Sequence, residues 1–378
     1  MKSVGIICEY NPFHNGHIYH ISKIKEMYPD YTITLIMSGN YTQRGEISLI
    51  DKYDKTKIAL NYVDLVVELP FVFSSQSADI FASGASLILK KLKVDAFVFG
   101  CESNLSDLIK VVNVQNTKKY DILTKKYLSM GYNYPTSTSK AVYDLSNIKI
   151  NKPNDLLGIS YIKNLNNYIE IKTIKRTNDF HNSNLNSNII SASTIRKLLK
   201  EKKDIKKYVP KETLKYSRNI KFTEDFFPLL KYKIISEINN LSIYQTVDEG
   251  IENRIKKYIY NANSYNELIE KIKTKRYTYN KIKRMFIHIL CGFTKEDAKK
   301  FKNIEYIKIL GFNNKGRKYL NSIKKEVDIP IVVKYYKNEC FDFEIKADMI
   351  YHINDKNKEN EYARKPIFDS SDSNTFHG

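Results

Sequence analysis

The 378-residue sequence predicts an α/β fold in which a parallel sheet is followed by a mainly helical, basic region. Up to about residue 200, short apolar runs alternate with segments of helical periodicity, which is typical of repeated strand–helix–strand units. A charged connector at 200–207 then leads into mainly helical patterns. We therefore expect two domains, at 1–205 and 206–368, and a polar, flexible tail at 369–378.

Five apolar runs are the candidate strands of the first domain, at 3–8, 32–37, 65–69, 96–100 and 169–174. Helices are expected between them, at 17–28, 51–62, 76–92, 104–130 (broken) and 154–166. The second domain has helical patterns at 226–236, 252–260, 265–273 and 281–290, then short apolar segments at 306–310, 329–333 and 341–345. These segments either form a small α/β lobe or pack back on the first domain. Strands joined through helices form parallel sheets that bind ligands beyond the carboxyl ends of their strands. The polar turns that follow these strands should therefore converge on one crevice.

The composition narrows the class of protein. A net charge of +20 indicates a polyanionic partner, although an AT-rich genome can also raise the lysine content, so clustering of charge carries more weight. No apolar run approaches the roughly 20 residues that a membrane span requires, and the first strand lacks a signal-peptide cleavage pattern, so we expect a cytoplasmic protein. The cysteines form no C-x-x-C pair, which favours reduced thiols over a disulfide or zinc framework. They are Cys8, Cys101, Cys291 and Cys340.

The turn after the first strand, at 9–17, contains two histidines, two asparagines and a glycine. A strand that enters a helix through such a turn directs backbone N–H groups and the helix dipole at one point, which attracts phosphate. His14 and His17, three residues apart, should lie on the same side of the turn and hydrogen-bond phosphate oxygens. The alternative is an ordinary strand–turn–helix with surface histidines.

Three later segments are candidates for the same crevice. Residues 190–196 place three hydroxyls and an arginine at the start of a helix, which predicts a second phosphate site or, alternatively, a capping serine with a solvated arginine. In the helix start at 152–158, Asn154 offers an amide to a nucleobase or ribose, while Asp155 either joins the site or only caps the helix. The basic turn at 43–46 lines the cleft, contacts a macromolecular substrate or is a surface loop.

The second domain contains a basic segment. Residues 251–300 hold 13 basic and five acidic residues, and the densest part, 271–284, interleaves basic residues with tyrosines. This pattern suits phosphate neutralisation and base stacking on RNA, whereas the alternative is a solvated helical face. The predicted RNA contacts are Lys273, Lys275, Arg276, Lys281, Lys283 and Arg284.

Two short motifs resemble known signatures. His14-x-Gly16-His17 and Ser191-x-Ser193-x-Ile195-Arg196 resemble the HxGH and ISxSxIR patterns of the nucleotidylyltransferase superfamily, whose members bind a nucleoside triphosphate on a Rossmann-like domain. A wider pattern resembles the bacterial tRNA(Met) cytidine acetate ligases over the whole first domain, and more loosely over the basic region and 346–351. It comprises 5–17, Met37-Ser38-Gly39, 43–46, 64–70, Phe99-Gly100-x-Glu102, 153–158 and Lys175-Arg176. Cys101, where serine would be unremarkable, is a minor departure.

The resemblance implies a nucleotidylyltransferase-like ATP-binding catalytic domain at 1–205 and a tRNA-binding domain at 206–368. It implies that ATP and acetate give acetyl-adenylate and pyrophosphate, and that the acetyl group then passes to N4 of the wobble cytidine of elongator tRNA(Met), forming N4-acetylcytidine. The ATP-binding residues carried over by position are Ile7, Cys8, Glu9, Tyr10, Asn11, Pro12, Phe13, His14, Asn15, Gly16, His17, Ile18, Tyr19, His20, Gly100, Asn154 and Arg176.

The residues suit this chemistry independently. Attack of acetate on the α-phosphate builds charge on phosphate oxygens, so the step needs positioning and cationic donors more than a covalent nucleophile. We assign His14 and His17 as catalytic donors, and Arg196, with Ser191 and Ser193, to the departing pyrophosphate. Mg²⁺ would bridge the phosphates, and no protein ligands for it are predicted.

Two other functions are compatible with parts of the pattern. One is a small-molecule adenylyl- or cytidylyltransferase of cofactor synthesis, which needs the same motifs but not the large basic domain. The other is an RNA-binding protein with a vestigial nucleotide fold, which the presence of both histidines and of Ser191 and Arg196 disfavours.

Overall fold

A computed structural model describes residues 1–150, 152–176, 187–274, 276–356 and 359–370. Within these ranges the strands are β1 Ser3–Cys8, β2 Thr32–Ser38, β3 Leu65–Leu69, β4 Ala96–Cys101, β5 Glu170–Lys175, β6 Ile307–Asn313, β7 Ile331–Val332 and β8 Ile367–Asp369. The five strands predicted for the first domain are confirmed, with ends displaced by one residue at most.

The strands form one sheet in the order β5-β4-β1-β2-β3-β6-β7, with β8 also paired to β6. Strands β1 to β5 are mutually parallel, as predicted, whereas β6 runs antiparallel to β3. The carboxyl ends of β1, β2, β4 and β5 therefore lie along the same edge, which brings the turns that follow them close together.

Seventeen α-helices are formed by the described residues. Those of the first 205 residues are α1 Asn15–Met27, α2 Lys52–Leu60, α3 Phe71–Ser74, α4 Ala78–Lys91, α5 Leu105–Gln115, α6 Lys118–Ser129, α7 Tyr134–Ser146, α8 Pro153–Leu165 and α9 Ala192–Lys200. The others are α10 Lys211–Tyr216, α11 Phe227–Ser236, α12 Ile251–Ile259, α13 Tyr265–Ile272, α14 Tyr279–Cys291, α15 Lys295–Lys300, α16 Asn314–Ile323 and α17 Glu339–Tyr351. None of them has the length and apolarity that a membrane crossing requires. The apolar segment at 341–345 lies inside α17.

Alternate residues of the strands supply two hydrophobic cores, one on each face of the sheet. Ile6, Leu35 and Val98 pack with α1 and α2 in one core. Val67 and Phe97 belong to the other core, which extends through α4 and α8 into the helical region formed by α11 to α14. The helical region therefore shares its apolar interior with one face of the sheet.

The sheet contains strands from both sides of the domain boundary predicted at residue 205. β6, β7 and β8 come from the part assigned to the mainly helical domain, and β6 covers the edge of β3. Asp369, placed in the tail by the sequence, pairs with Asn313, whereas residues 371–378 lie outside the described residues. The sequence left open whether the apolar segments after residue 305 form a small lobe or pack back on the first domain, and the structure shows the second arrangement. A hydrophobic period does not reveal which strand edge a distant segment will cover.

A buried ionic cluster ties the C-terminal segments to the first domain. Lys52 Nζ, fully buried at the start of α2, lies 3.1 Å from Glu68 and 3.0 Å from Glu361. Lys308 of β6 contacts the same two carboxylates, at 3.1 and 2.5 Å. Because burying an unpaired charge is costly, each member of this cluster requires the others. The cluster joins α2, β3, β6 and residue 361.

We predict that Lys52→Met destabilises the protein by about 3–5 kcal/mol, because it leaves three buried carboxylates, those of Glu68, Asp348 and Glu361, with one ammonium partner fewer. The measurement is the free energy of unfolding in urea. The control is Lys57→Met on the same helix, whose half-exposed ammonium pairs with Asp54 and which should change stability by about 1 kcal/mol or less. Equal effects of the two substitutions would contradict the prediction.

Candidate functional site

A cavity of about 250 Å³ lies at the carboxyl ends of β1, β4 and β5. Most of the residues predicted to bind ATP or to act in catalysis line it: Ile7, Cys8, Glu9, Tyr10, Asn11, His14, Gly16, His17, Tyr19, His20, Gly100, Asn154, Arg176, Ser191, Ser193 and Arg196. The structure therefore brings the early turn and the late serine–arginine segment together, although about 175 residues separate them.

Four residues of the predicted ATP-binding stretch do not line the cavity. Phe13 is buried in the core and stacks on Tyr62, and Ile18 packs against the same core. Asn15 donates to the carbonyls of residues 188 and 207, at 3.0 Å each. Pro12 follows a cis peptide bond within the turn. Their side chains support the turn rather than facing a ligand, which a linear motif does not distinguish.

The two histidines form a capping box at the start of α1. His14 Nδ1 accepts a hydrogen bond from the backbone N–H of Gly16 at 3.0 Å, and His17 Nδ1 accepts one from the backbone N–H of His14 at 3.2 Å. A neutral imidazole that accepts at one nitrogen carries its proton on the other. Both rings therefore hold their protons on Nε2.

Both rings are neutral at physiological pH. Burial, together with the nearby charges of Arg176 and Arg196, lowers the pKa of His14 to about 3. Burial and the His14 ring also lower the pKa of His17. The rings are stacked, with centroids 3.9 Å apart. The turn thus offers two adjacent neutral N–H donors, and the interpretation as surface histidines is wrong.

The second predicted phosphate site lies across the cavity. Ser191 caps α9, its Oγ accepting from the N–H of Thr194 at 3.1 Å and lying 2.7 Å from Ser193 Oγ. Arg196 is held by two partners, since it donates to the carbonyl of Asn11 at 2.9 Å and pairs with Glu46 at 2.9 Å. The amino termini of α1 and α9 therefore face the same cavity, which favours an anion between them.

The third wall is formed by β4, β5 and the start of α8. Asn154 Nδ2 donates to Glu102 Oε1 at 2.6 Å, and Arg176 Nε lies 3.9 Å from the same oxygen. Asp155 does not line the cavity. Its Oδ1 accepts from the backbone N–H groups of Glu102 and Ser103, at 2.9 and 3.0 Å, so it fixes the turn after β4.

Several functional positions were not identified from the sequence. The cavity also contains an apolar group from α4, β4 and α8, namely Phe81, Phe99, Leu157 and Tyr161. Leu157 and Tyr161 follow Asn154 at helical spacing, which is the signal that could have indicated them. Lys55 was also missed. Its Nζ donates to the carbonyls of Glu9, Ser38 and Gly39, at 3.0, 2.9 and 2.7 Å, and so joins the ends of β1 and β2.

The basic residues predicted to bind RNA fall into two groups: some contact the 43–46 turn, and the others are exposed or half-buried beside tyrosine rings. Lys283 pairs with Glu46 at 3.0 Å, and Arg284 donates to the carbonyl of Gln43 at 3.2 Å, so both hold the 43–46 turn against α14. Lys273 and Arg276 are exposed, and Lys281 is half-buried. The ammonium groups of Lys273 and Lys281 lie over tyrosine rings, at 3.8 and 4.1 Å. Lys275 lies outside the described residues.

Gly45 allows this close packing of the 43–46 turn on α14. Its φ is +73°, and a Cβ there would lie 2.2 Å from the backbone nitrogen of Arg284. The turn also lines the cavity through Gln43, Arg44 and Glu46. It is therefore part of the cleft, and the surface-loop interpretation is wrong.

The Mg²⁺ that the resemblance implies finds no ligand set among the described residues of the cavity. One group in the described ranges, Asp51, Asp348 and His352, brings potential ligand atoms within 4.8 Å of one another, and it lies outside the cavity lining. Its members already have partners, since His352 Nε2 lies 2.9 Å from Asp51 and the ammonium of Lys52, outside the group, lies 3.5 Å from Asp348. We therefore derive no step through a protein-bound metal.

Comparison with known proteins agrees with this geometry. Residues 1–365 match the family model for the HIGH Nucleotidyl Transferase. The tRNA(Met) cytidine acetate ligases of Oceanobacillus iheyensis and Fusobacterium nucleatum are each 40% identical to this chain, over 88% and 85% of it and 89% and 85% of their own lengths.

Two crystal structures of Thermotoga maritima TmcAL are similar over 98% of this chain and all of theirs, at 29% identity. The TM-score is 0.91 for the apo form and 0.88 for the form bound with alpha-thio ATP. The chain belongs to the tRNA(Met) cytidine acetate ligase family of HIGH nucleotidyl transferases.

Proposed function

We propose that this protein is an ATP-dependent ligase that activates acetate as acetyl-adenylate and transfers the acetyl group to N4 of the wobble cytidine of elongator tRNA(Met). The observation that carries the proposal is the pair of neutral imidazole N–H donors facing an arginine and a second helix amino terminus across one cavity. This arrangement suits a nucleoside triphosphate. Family membership supports the identity of acetate and of the tRNA. Acting on tRNA, the enzyme would work in the cytoplasm.

In the first step the triphosphate would lie between the amino termini of α1 and α9. Nε2–H of His14 and of His17 would donate to phosphate oxygens, and Arg196 with the hydroxyls of Ser191 and Ser193 would hold the departing pyrophosphate. These donors are held before ATP binds, because each Nδ1 and the guanidinium are already hydrogen-bonded to backbone. Preorganised donors stabilise charge that develops in the transition state without reorganising during the step.

The nucleoside would lie against the ends of β4 and β5. Gly100 presents only backbone to the cavity, and the Arg176 side chain passes beside it, its Cγ 3.4 Å from the position a Gly100 Cβ would take. Asn154 and Arg176 both contact Glu102, so this wall is fixed independently of the ligand. We assign Gly100, Asn154 and Arg176 to the adenosine part of ATP.

For the tRNA, the exposed part of the basic segment supports a narrower proposal than the sequence did. We assign phosphate contacts to Lys273 and Arg276, together with Lys281, which lies beside tyrosine rings. Lys283 and Arg284 instead join the segment to the catalytic cleft through the 43–46 turn. An anticodon loop held on the basic segment would therefore have a direct structural connection to the cavity.

The first prediction tests the reaction itself. The protein, ATP, Mg²⁺ and acetate should convert unmodified elongator tRNA(Met) to a product that contains N4-acetylcytidine, measured by mass spectrometry of nucleosides. Acetate and ATP alone should support ATP–pyrophosphate exchange. A requirement for acetyl-CoA would refute the proposed function, and reaction only with a small phosphate ester would support the alternative of a small-molecule nucleotidylyltransferase.

His14→Ala and His17→Ala should each lower acetate-dependent ATP–pyrophosphate exchange by roughly 10²–10³-fold, because each removes one preorganised donor to the phosphates. Each substitution also removes a cap of α1, so the melting temperature is measured in parallel. Exchange at the wild-type rate in either variant would exclude that histidine from the first step.

The double variant Lys273→Glu/Arg276→Glu should weaken tRNA binding by at least about tenfold and reduce the dependence of the affinity on salt, because fewer phosphates are neutralised. Exchange without tRNA should be unaffected. The matched control is Lys324→Glu/Lys325→Glu, which changes charge equally at exposed positions after α16. Equal loss of affinity in both double variants would indicate a non-specific effect of net charge.

A further inference from the structure

Glu9 lies in the stretch predicted to bind ATP, but its side-chain carboxylate has no part in the first step as proposed above. Its side chain lines the cavity directly after β1. Oε1 accepts a hydrogen bond from the backbone N–H of Gln43 at 2.6 Å, and the backbone carbonyl of Glu9 accepts one from Lys55 Nζ at 3.0 Å. The described residues form no hydrogen bond to the second carboxylate oxygen, Oε2, which leaves that oxygen available to a ligand in the cavity that Glu9 lines. Glu9 therefore presents one immobilised acceptor oxygen to a ligand.

The second step needs such an acceptor. The exocyclic amino group of cytosine is a weak nucleophile that must lose a proton when it is acylated, so a base positioned beside it accelerates the reaction. Carboxylates are the side chains that accept hydrogen bonds from this amino group in nucleic-acid recognition. A cavity-facing carboxylate oxygen beside the acyl-adenylate would satisfy both requirements.

We propose that Glu9 is the general base of acetyl transfer, with Oε2 accepting a hydrogen bond from the N4 amino group of the incoming cytosine. The proposal rests on the function proposed above. In this step the bond between N4 and the acetyl carbon forms, and the bond between the acetyl carbon and the phosphate oxygen of AMP breaks. AMP leaves with the bonding electrons, and the proton of N4 passes to Oε2.

The other groups in the described lining of the cavity that could accept a proton are less suited to act as the base of acetyl transfer. The two histidines of the capping box carry their protons on Nε2 and already use Nδ1 as an acceptor. Glu46 is paired with two cations. Burial raises the pKa of the Cys8 thiol to about 12, and His20 Nε2 is enclosed by protein without a partner. Glu9 is left as the carboxylate that is both fixed and open.

The surroundings of Glu9 suit a base at neutral pH. Burial raises its pKa above the usual value for glutamate, and the carboxylate of Glu46 acts in the same direction. The hydrogen bond from Gln43 and the charges of Arg44 and Lys55 oppose this shift only in part. Since a base must be deprotonated, acetyl transfer should slow as the pH falls through this raised pKa.

Glu9 also faces the side from which the tRNA would come. Its Oε1 contacts the first residue of the 43–46 turn, and that turn is bound to α14 by Lys283 and Arg284. Residue 9 therefore connects the segment that carries the two histidines to the 43–46 turn, which leads to the basic segment. A wobble base that leaves the anticodon stack and enters past this turn would reach Glu9.

The test isolates the second step by supplying synthetic acetyl-adenylate with unmodified tRNA(Met) transcript and excess enzyme. Under these single-turnover conditions Glu9→Gln should acetylate the tRNA roughly 10²–10³-fold more slowly than the wild type, the usual size of a general-base contribution. In Glu9→Gln the rate of ATP–pyrophosphate exchange should fall by a factor at least about ten times smaller than the factor by which the acetylation rate falls. The transfer rate of the wild type should fall at low pH, and this dependence should be absent in Glu9→Gln.

The matched control is Glu26→Gln, an exposed glutamate on α1, which should leave both steps at the wild-type rate. Transfer by Glu9→Gln at the wild-type rate would overturn the role of Glu9. Equal losses in both steps with a raised KM for ATP would overturn it too, since they would indicate nucleotide binding. Failure of the wild type to acetylate the transcript would instead refute the proposed function. Melting temperatures identify any variant that is unfolded.

Discussion

The candidate site depends on two hydrogen bonds within one turn, from the backbone N–H groups of Gly16 and His14 to the Nδ1 atoms of His14 and His17. They start α1 at the end of β1, and they determine the tautomer of both rings. Because the rings are buried and neutral, they donate through Nε2 without bringing positive charge into the turn. The cationic contribution comes from Arg176 and Arg196 on other elements, so position and charge are supplied by different residues.

The other walls of the cavity are held against this turn by long-range contacts. Asn15 binds carbonyls at 188 and 207, which keeps the segment that precedes and follows α9 beside α1. Arg196 binds the carbonyl of Asn11 directly. Lys55 joins the ends of β1 and β2 through three carbonyls, and burial lowers its pKa to about 8. Gly45 allows the 43–46 turn, which lines the cavity, to pack closely on α14.

Much of this arrangement could be predicted from the sequence, because it is expressed in local patterns. The five apolar runs predicted β1 to β5, and the density of histidine, asparagine and glycine after β1 indicated a turn that lines the cavity. Local pattern did not separate residues that face the cavity from those that support it. Phe13 and Asn15 belong to the same motif as His14, yet they face the core and the 188–208 backbone. Asp155 does not face the cavity either, because its carboxylate accepts hydrogen bonds from the backbone of the turn after β4.

In the C-terminal third, the sequence could not predict where strands join the sheet or which partners the basic residues contact. β6, β7 and β8 have ordinary strand-like patterns, but their places in the sheet depend on an uncovered β3 edge and on the buried cluster around Lys52. Lys283 and Arg284 look like the other basic residues of their segment. Their contacts with Glu46 and with the carbonyl of Gln43 exist only in the folded chain.

The sequence by itself therefore determined the parallel strands, the two helix starts that face the cavity and the family, because strand periodicity, helix capping and motif spacing are properties of neighbouring residues. Tertiary structure alone decided the tautomers of His14 and His17, the partners of Arg196, the open oxygen of Glu9 and the role of each basic residue. These depend on burial and on atoms that lie far apart along the chain, and such contacts exist only once the sheet has brought its strand ends together.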